Sequence, residues 1–246
     1  MERRIAIVTG GTGGIGSAIC RQLAGDYSVI ACYFKDGKHD EAKHWQEVQR
    51  KAGFDVEIIY ADMAQFSDCE HLVSQVMERY GRIDVLVNNA GITKDSSLKK
   101  MSPEQWQQVI DANLTSVFNM TRNALSAMLD KGYGRIISIS SINGRKGQFG
   151  QCNYAASKAA LFGFTKSLAL EVANKGITVN TISPGYIETP MISQMREDVL
   201  SSIISGIPVG RLGQPQDIAE AVAFLASPTT SFITGANIDI NGGQYM

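Results

Sequence analysis

From residue 5 to residue 240 the chain alternates between short runs of mostly apolar residues and longer stretches with apolar positions at helical spacing. The runs are Ile5-Ala6-Ile7-Val8-Thr9, Ser28 to Tyr33, Val56 to Ala61, Val85-Leu86-Val87-Asn88, Arg135 to Ser140, Thr178 to Ile182 and Asn237 to Ile240. A strand with water on one face alternates polar and apolar residues; most of these do not, so both of their faces must be covered. Such strands are parallel and are joined by helices that pack back over the sheet. Helical stretches fall between them: from the first glycines to about Ala24, then Asp40 to Ala52, Phe66 to Tyr80, Ser102 to about Leu129, Tyr154 to Ala173 and Gln214 to Ala226. The pattern predicts an α/β protein, a single domain over residues 1–246 on one doubly wound parallel sheet with helices on both faces.

Two segments carry more information than their neighbours. Ser102, followed by Pro103 at the first helical position and by Glu104-Gln105, starts a long helix expected to bend near Asn113. Residues 184–208 are too long for an ordinary connection and carry Met191, Met195, Ile203 and Ile204, so they read as a substrate lid, with a pair of idle surface helices as the alternative. With 23 Lys and Arg against 24 Asp and Glu, no net field draws a polyanion or a membrane surface, and neither nucleic acid nor membrane is expected as a partner. Cys20, Cys32, Cys69 and Cys152 lie far apart with no histidine at ligand spacing, so no metal site is expected and the thiols suit a reducing compartment. The apolar run after Arg4 is too short for a signal or a membrane span, and the expected location is cytoplasmic.

The first strand ends in Gly10-Gly11-Thr12-Gly13-Gly14-Ile15-Gly16. Glycines between a strand and a helix let backbone N–H groups at the helix start approach a pyrophosphate, the device of the dinucleotide-binding Rossmann fold. The spacing here is G-x-x-x-G-x-G, over Gly10, Gly14 and Gly16. Much later, Ser141 follows the fifth strand and Tyr154-x-x-x-Lys158 opens a helix, so the phenol and the ammonium share one helix face. A hydroxyl, a phenol and an ammonium together suit carbonyl reduction: the alkoxide left by hydride transfer needs a proton donor, and a nearby cation is expected to bring a phenol's pKa down from about 10.

The glycine spacing, Asn88-Asn89-Ala90-Gly91, Asn113, Ser141, Tyr154/Lys158 and Pro184-Gly185, taken in this order over nearly the whole chain, resemble the short-chain dehydrogenase/reductase family. That resemblance implies a catalytic set of Asn113, Ser141, Tyr154 and Lys158, with Asn113 holding a water next to Lys158. It implies cofactor contacts from Gly10, Thr12, Gly14, Ile15 and Gly16 in the loop, and from Tyr33, Lys35, Asp62 and Met63 around the adenosine. Asn89, Gly91, Tyr154, Lys158, Pro184, Gly185, Ile187 and Thr189 complete the cofactor set. Where NAD users carry an acid at the end of the second strand, this chain has Tyr33-Phe34-Lys35, which favours NADPH; Asp36, one residue on, keeps NADH as the alternative.

Within that family, Gly147-Gln148-Phe149-Gly150-Gln151 and Ser183-Pro184-Gly185-Tyr186-Ile187 look like the NADPH-dependent acetoacetyl-CoA reductases of polyhydroxybutyrate synthesis. The implied substrate contacts are Asp95, Gln148, Phe149, Gln151 and Tyr186, around a small-molecule acyl thioester. The implied reaction makes (R)-3-hydroxybutyryl-CoA, and the implied assembly is a homotetramer. Reductases of 3-oxoacyl-carrier protein share fold, cofactor and catalytic residues. An acidic carrier needs a basic patch beside the site, and the turn Asp130-Lys131-Gly132-Tyr133-Gly134 is only weakly basic, although Lys175 remains. A nucleotide-binding scaffold without catalysis is the reading from another class, and the intact tetrad speaks against it.

Overall fold

The computed structural model describes residues 3–34, 39–193 and 195–246, and at 191 and 193 the backbone alone. Seven parallel strands form one sheet in the order β3-β2-β1-β4-β5-β6-β7. The strands are β1 (Arg4–Thr9), β2 (Tyr27–Tyr33), β3 (Val56–Tyr60), β4 (Val85–Asn88), β5 (Gly134–Ile139), β6 (Ile177–Pro184) and β7 (Asn237–Ile240). Helices α1 (Gly14–Leu23), α2 (His39–Lys51), α3 (Phe66–Tyr80), α4 (Pro103–Ile110) and α5 (Ser116–Lys131) belong to the first half. In the second half lie α6 (Asn143–Lys146), α7 (Cys152–Val172), α8 (Pro190–Ser193), α9 (Glu197–Ser205) and α10 (Pro215–Ala226). Among the described residues no helix is long and apolar enough to cross a membrane.

The absence of polar alternation in the strands has the physical cause expected of it. Ile5 and Ile7 of β1, Ile30 of β2, Leu86 of β4 and Ile136 of β5 face one way, into a core closed by α3, α5 and α7. Ala6 and Val8, Val29 and Ala31, Val85 and Val87, with Ile137, face the other way onto α1 and α10. Every residue of β4, β5 and β6 is thus buried whichever way it points, while the edge strands β3 and β7 are largely half-exposed. Because β1 lies between β2 and β4, the chain's winding reverses there, and the carboxyl ends of β1 and β4 diverge into the crevice where ligands of such sheets bind.

The long helix after Ser102 begins and bends where the residues predict. The Ser102 hydroxyl accepts from the Gln105 N–H at 3.2 Å while the Gln105 side chain accepts from the Ser102 N–H at 3.0 Å, a reciprocal cap. Residues Asp111–Thr115 widen into a π turn between α4 and α5, with Asn113 inside it.

The turn at Asp130–Gly134 corrects an expectation. It leads into the amino end of β5, the end of the sheet opposite the crevice, and Lys175 sits at the same end, just before β6. A basic group there is not beside this chain's own cleft. What that end does contain is Arg135, 2% exposed. Its guanidinium donates to the carbonyls of Ser227, Gly134, Gly176 and Pro228 at 2.9–3.3 Å and lies 4.5 Å from the centre of the Tyr133 ring. Arg135→Met is expected to lower unfolding stability by about 3 kcal/mol, since these carbonyls lose their donor, and the denaturant midpoint measures it.

Candidate active site

At the crevice, the ends of β4, β5 and β6, the start of α7 and the α8–α9 segment enclose a cleft of about 590 Å³. Ser141, Tyr154 and Lys158 line it together with Asp95, Gln148, Phe149, Gln151 and Tyr186. Ile15, Asn89, Gly91, Pro184, Gly185, Ile187 and Thr189 line it as well. Ile192, Met195, Val199 and Ile203 of the 184–208 segment form its apolar wall.

The glycine loop is held by side chains from β1 and from the residue after β4. The Asn89 amide donates to the carbonyls of Thr9 and Gly10 at 3.0 and 3.1 Å, and the Thr9 hydroxyl accepts from the Asn89 and Ala90 N–H groups, each at 3.0 Å. Gly10 has φ +61°, a left-handed conformation that suits glycine. A side chain at Gly16 would run into the Gly10 carbonyl, and one at Gly11 would meet Ala31. Gly13 caps α1 without a side-chain hydrogen bond, and Thr12 sits partly exposed in the loop beside it. Gly14 packs against Thr189.

Tyr33 ends β2, its hydroxyl 3.0 Å from His39 Nδ1. Lys35, and Asp36 beside it, lie outside the described residues. Asp62 accepts from the Ala64 N–H at 2.9 Å through its side chain. The Met63 side chain is buried in the core and its carbonyl accepts from the Asn119 amide, which leaves only its backbone to face a nucleotide.

Lys158 is buried, and Nζ donates to the Ile139 carbonyl at 2.8 Å, 5.7 Å from the centre of the Tyr154 ring one turn earlier on α7. The Ser140 hydroxyl donates to the Lys158 carbonyl at 2.9 Å, so the end of β5 grips the helix twice. A Cβ on Gly144 would lie 2.9 Å from the Lys158 and Ala159 backbone, which is why α6 seats against α7 there. Burial lowers the Lys158 pKa to about 8. The expectation that this ammonium would lower the Tyr154 pKa is corrected: burial of the phenol dominates and raises it, against a hydrogen bond from Ser141, and the Asp95 carboxylate adds to the rise. The phenol therefore holds its proton firmly.

Asn113 is fully buried. Its amide donates to the Ile92 carbonyl and the Ser157 hydroxyl at 3.0 and 3.1 Å, and its carbonyl accepts from the Ile92 N–H at 2.8 Å. The side chain thereby pins the segment after Gly91, where an added Cβ would lie 3.1 Å from Asn113 Oδ1 and 3.4 Å from Lys158 Nζ.

On the substrate side, Asn143 donates to Gln151 Oε1 and Gln151 donates to Asp95, both at 2.9 Å, while the Asn143 N–H donates to the Ser141 hydroxyl at 3.1 Å. Sequence reasoning missed Asn143, although it lies two residues past Ser141. Four residues of helix with one glycine and two cations give no apolar periodicity to find. Phe149 is 90% exposed at the mouth of the cleft, and Tyr186 is partly buried on its far side.

A short-chain dehydrogenase/reductase family model, described as enoyl-(acyl carrier protein) reductase, matches residues 10–244. The chain belongs to the short-chain dehydrogenase/reductase family. It is 51% identical over 243 residues to an acetoacetyl-CoA reductase of Allochromatium vinosum, covering 99% of each chain. It is 49% identical over 247 residues to an acetoacetyl-CoA reductase of Cupriavidus necator, covering 100% of each chain. It is 42% identical over 245 residues to the 3-oxoacyl-[acyl-carrier-protein] reductase of Escherichia coli, covering 100% of this chain and 98% of that one.

A short-chain dehydrogenase/reductase is an oxidoreductase that works with a nicotinamide cofactor. The residues fit such a group: the loop is open where side chains would close it, and the start of α1 is free of side-chain caps for a pyrophosphate. Lys158, whose folded pKa lies below the ordinary lysine value near 10.5, makes the reductase's stability pH-dependent. Between about pH 8 and that value the unfolded chain holds the extra proton, so wild-type stability rises with pH. Lys158→Met is expected to unfold later than wild type at pH 7 by about 2 kcal/mol, with the gap closing above pH 8, as read from denaturation midpoints across pH.

Proposed function

We propose that this chain reduces acetoacetyl-CoA to (R)-3-hydroxybutyryl-CoA with NADPH, and that Asn113, Ser141, Tyr154 and Lys158 serve the reaction. The observation that carries the proposal is the meeting of a seryl hydroxyl, a phenol and a buried ammonium in one cleft beside the glycine loop. Bound along that loop, reduced nicotinamide supplies the hydride. Ser141 turns its hydroxyl to the substrate's carbonyl oxygen and donates to it as negative charge grows there. Tyr154 then gives its phenolic proton to the alkoxide. The phenol is protonated at neutral pH and so can donate, and the phenolate it becomes stands next to the Lys158 ammonium, which stabilises it. Asn113 acts as a positioning residue, holding Ile92 and Gly91 against Lys158.

Tyr33, in place of the acid that would repel a 2′-phosphate, supports NADPH over NADH. The names of the relatives near 50% identity support the CoA thioester. The amides of Gln148 and Gln151, with Asp95, suit the thioester and pantetheine groups, and Phe149 and Tyr186 suit its apolar parts. Residues 184–208 act as the lid of a single-domain enzyme. Exposed Phe118 and Leu129 on α5 and Leu170 on α7 support a homotetramer that covers them. A cytoplasmic location, where the four unpaired cysteines stay reduced, and a role in supplying polyhydroxybutyrate synthesis complete the proposal.

Tyr154→Phe is expected to cut turnover at least ~100-fold while NADPH affinity, followed by fluorescence titration, stays within about twofold. Retention of more than a few percent of the wild-type rate would show that another group supplies the proton. The substrate is tested by kcat/KM for acetoacetyl-CoA against acetoacetyl-carrier protein, each with NADPH and with NADH. The CoA thioester with NADPH is expected to lead, and a large preference for the carrier would assign the chain to fatty-acid elongation instead.

A further inference from the structure

We infer that His39, the first residue of α2, is the side chain that distinguishes NADPH from NADH by donating to the 2′-phosphate of the adenosine ribose. The inference rests on the NADPH part of the proposed function and names the residue that would deliver it. In sheets of this topology the ribose lies at the carboxyl end of the second strand, where an acid reads a 2′-hydroxyl. Here that place is held by Tyr33, and the Tyr33 hydroxyl is engaged with His39 Nδ1 at 3.0 Å. The hydroxyl is thereby engaged by the histidine, and among the described residues the imidazole is the nitrogen-bearing side chain beside it.

Two rings hold the imidazole in place. Tyr60, at the end of β3 and in register with Tyr33, meets the Tyr33 ring edge-on at 5.5 Å and the His39 ring at 4.7 Å. The Tyr33 and His39 rings meet edge-on at 5.9 Å. Such contacts fix a surface histidine that would otherwise sample several rotamers, and an ordered donor loses less entropy on binding. With Nδ1 engaged by the Tyr33 hydroxyl, Nε2 is the ring nitrogen left to face a ligand, and it donates there when it carries a proton. A phosphate offers acceptors only, so an N–H donor at this position suits it, while a carboxylate does not. Two acids follow His39 on α2, Asp40 and Glu41, and Asp40 lies 3.9 Å from Lys43, which offsets its charge toward an incoming anion.

The test uses the full chain without substrate and reads calorimetric affinity for two probes, 2′,5′-ADP and 5′-ADP. Wild type is expected to bind 2′,5′-ADP the more tightly. His39→Phe keeps a ring against Tyr33 and Tyr60 but removes the donor. It is expected to weaken 2′,5′-ADP about tenfold and to leave 5′-ADP within about twofold. Equal losses for both probes, or no loss for either, would overturn the assignment to His39 while a wild-type preference for 2′,5′-ADP kept the NADPH reading intact. If wild type bound the two probes alike, the NADPH reading would fail and this inference with it.

Discussion

The site depends on one buried contact, the Lys158 ammonium against the Ile139 carbonyl. An ammonium out of water is costly, and one carbonyl offsets only part of the loss, which is why burial depresses its pKa. The cost is accepted where it fixes geometry. Ile139 ends β5 and Lys158 lies two turns into α7, so the contact sets how far along the sheet the helix starts, and Tyr154 follows one turn earlier. Ser140 repeats the grip through the Lys158 carbonyl, and Gly144 lets α6 come close enough to turn Ser141 and Asn143 toward the same cleft.

The nucleotide side is organised by a different constraint, the want of side chains. Loop 10–16 folds back under α1 with the Gly10 carbonyl where a Cβ of Gly16 would be; the Asn89 amide satisfies the Thr9 and Gly10 carbonyls, and the Thr9 hydroxyl in turn accepts from the Asn89 and Ala90 N–H groups. The two halves meet because β1 and β4 are neighbours although β2 and β3 intervene in sequence. Strand order, not chain proximity, puts Gly10 beside Ala90 and, one residue on, Gly91 beside Lys158.

Strands were legible because burial on both faces removes polar alternation, and Val85–Asn88 and Phe66–Tyr80 have the bounds their residues predict. Ser102 and Gln105 announce their helix through a cap that is local in sequence. The bend near Asn113 was legible in place but not in kind: nothing in Asp-Ala-Asn-Leu-Thr specifies a π turn, which arises because Asn113 is drawn to Ile92 and Ser157, both distant in sequence. The Tyr154 pKa was misjudged for a similar reason. Spacing reveals that Lys158 is near, whereas burial depends on every segment packed around the phenol. Asp130–Gly134 was read as a flank of the site because only the topology shows that it enters β5 from the other end.

The stretch from Ser141 to Lys158 then divides by how its groups are held. Lys158 and Asn113 are bound to backbone, and the Ser157 hydroxyl donates a hydrogen bond to the Tyr154 carbonyl, so these groups are held by the scaffold itself. Asn143, Gln151 and Asp95 are held by one another through side-chain bonds that end at an exposed carboxylate. A chain of amides can be re-aimed by changing one member, and its inner end touches the Ser141 hydroxyl through the Asn143 N–H. The amide chain thus meets the fixed groups at two points, at Ser141 through the Asn143 N–H and at Tyr154 through the Asp95 carboxylate, while Lys158 and Asn113 stay anchored on the scaffold.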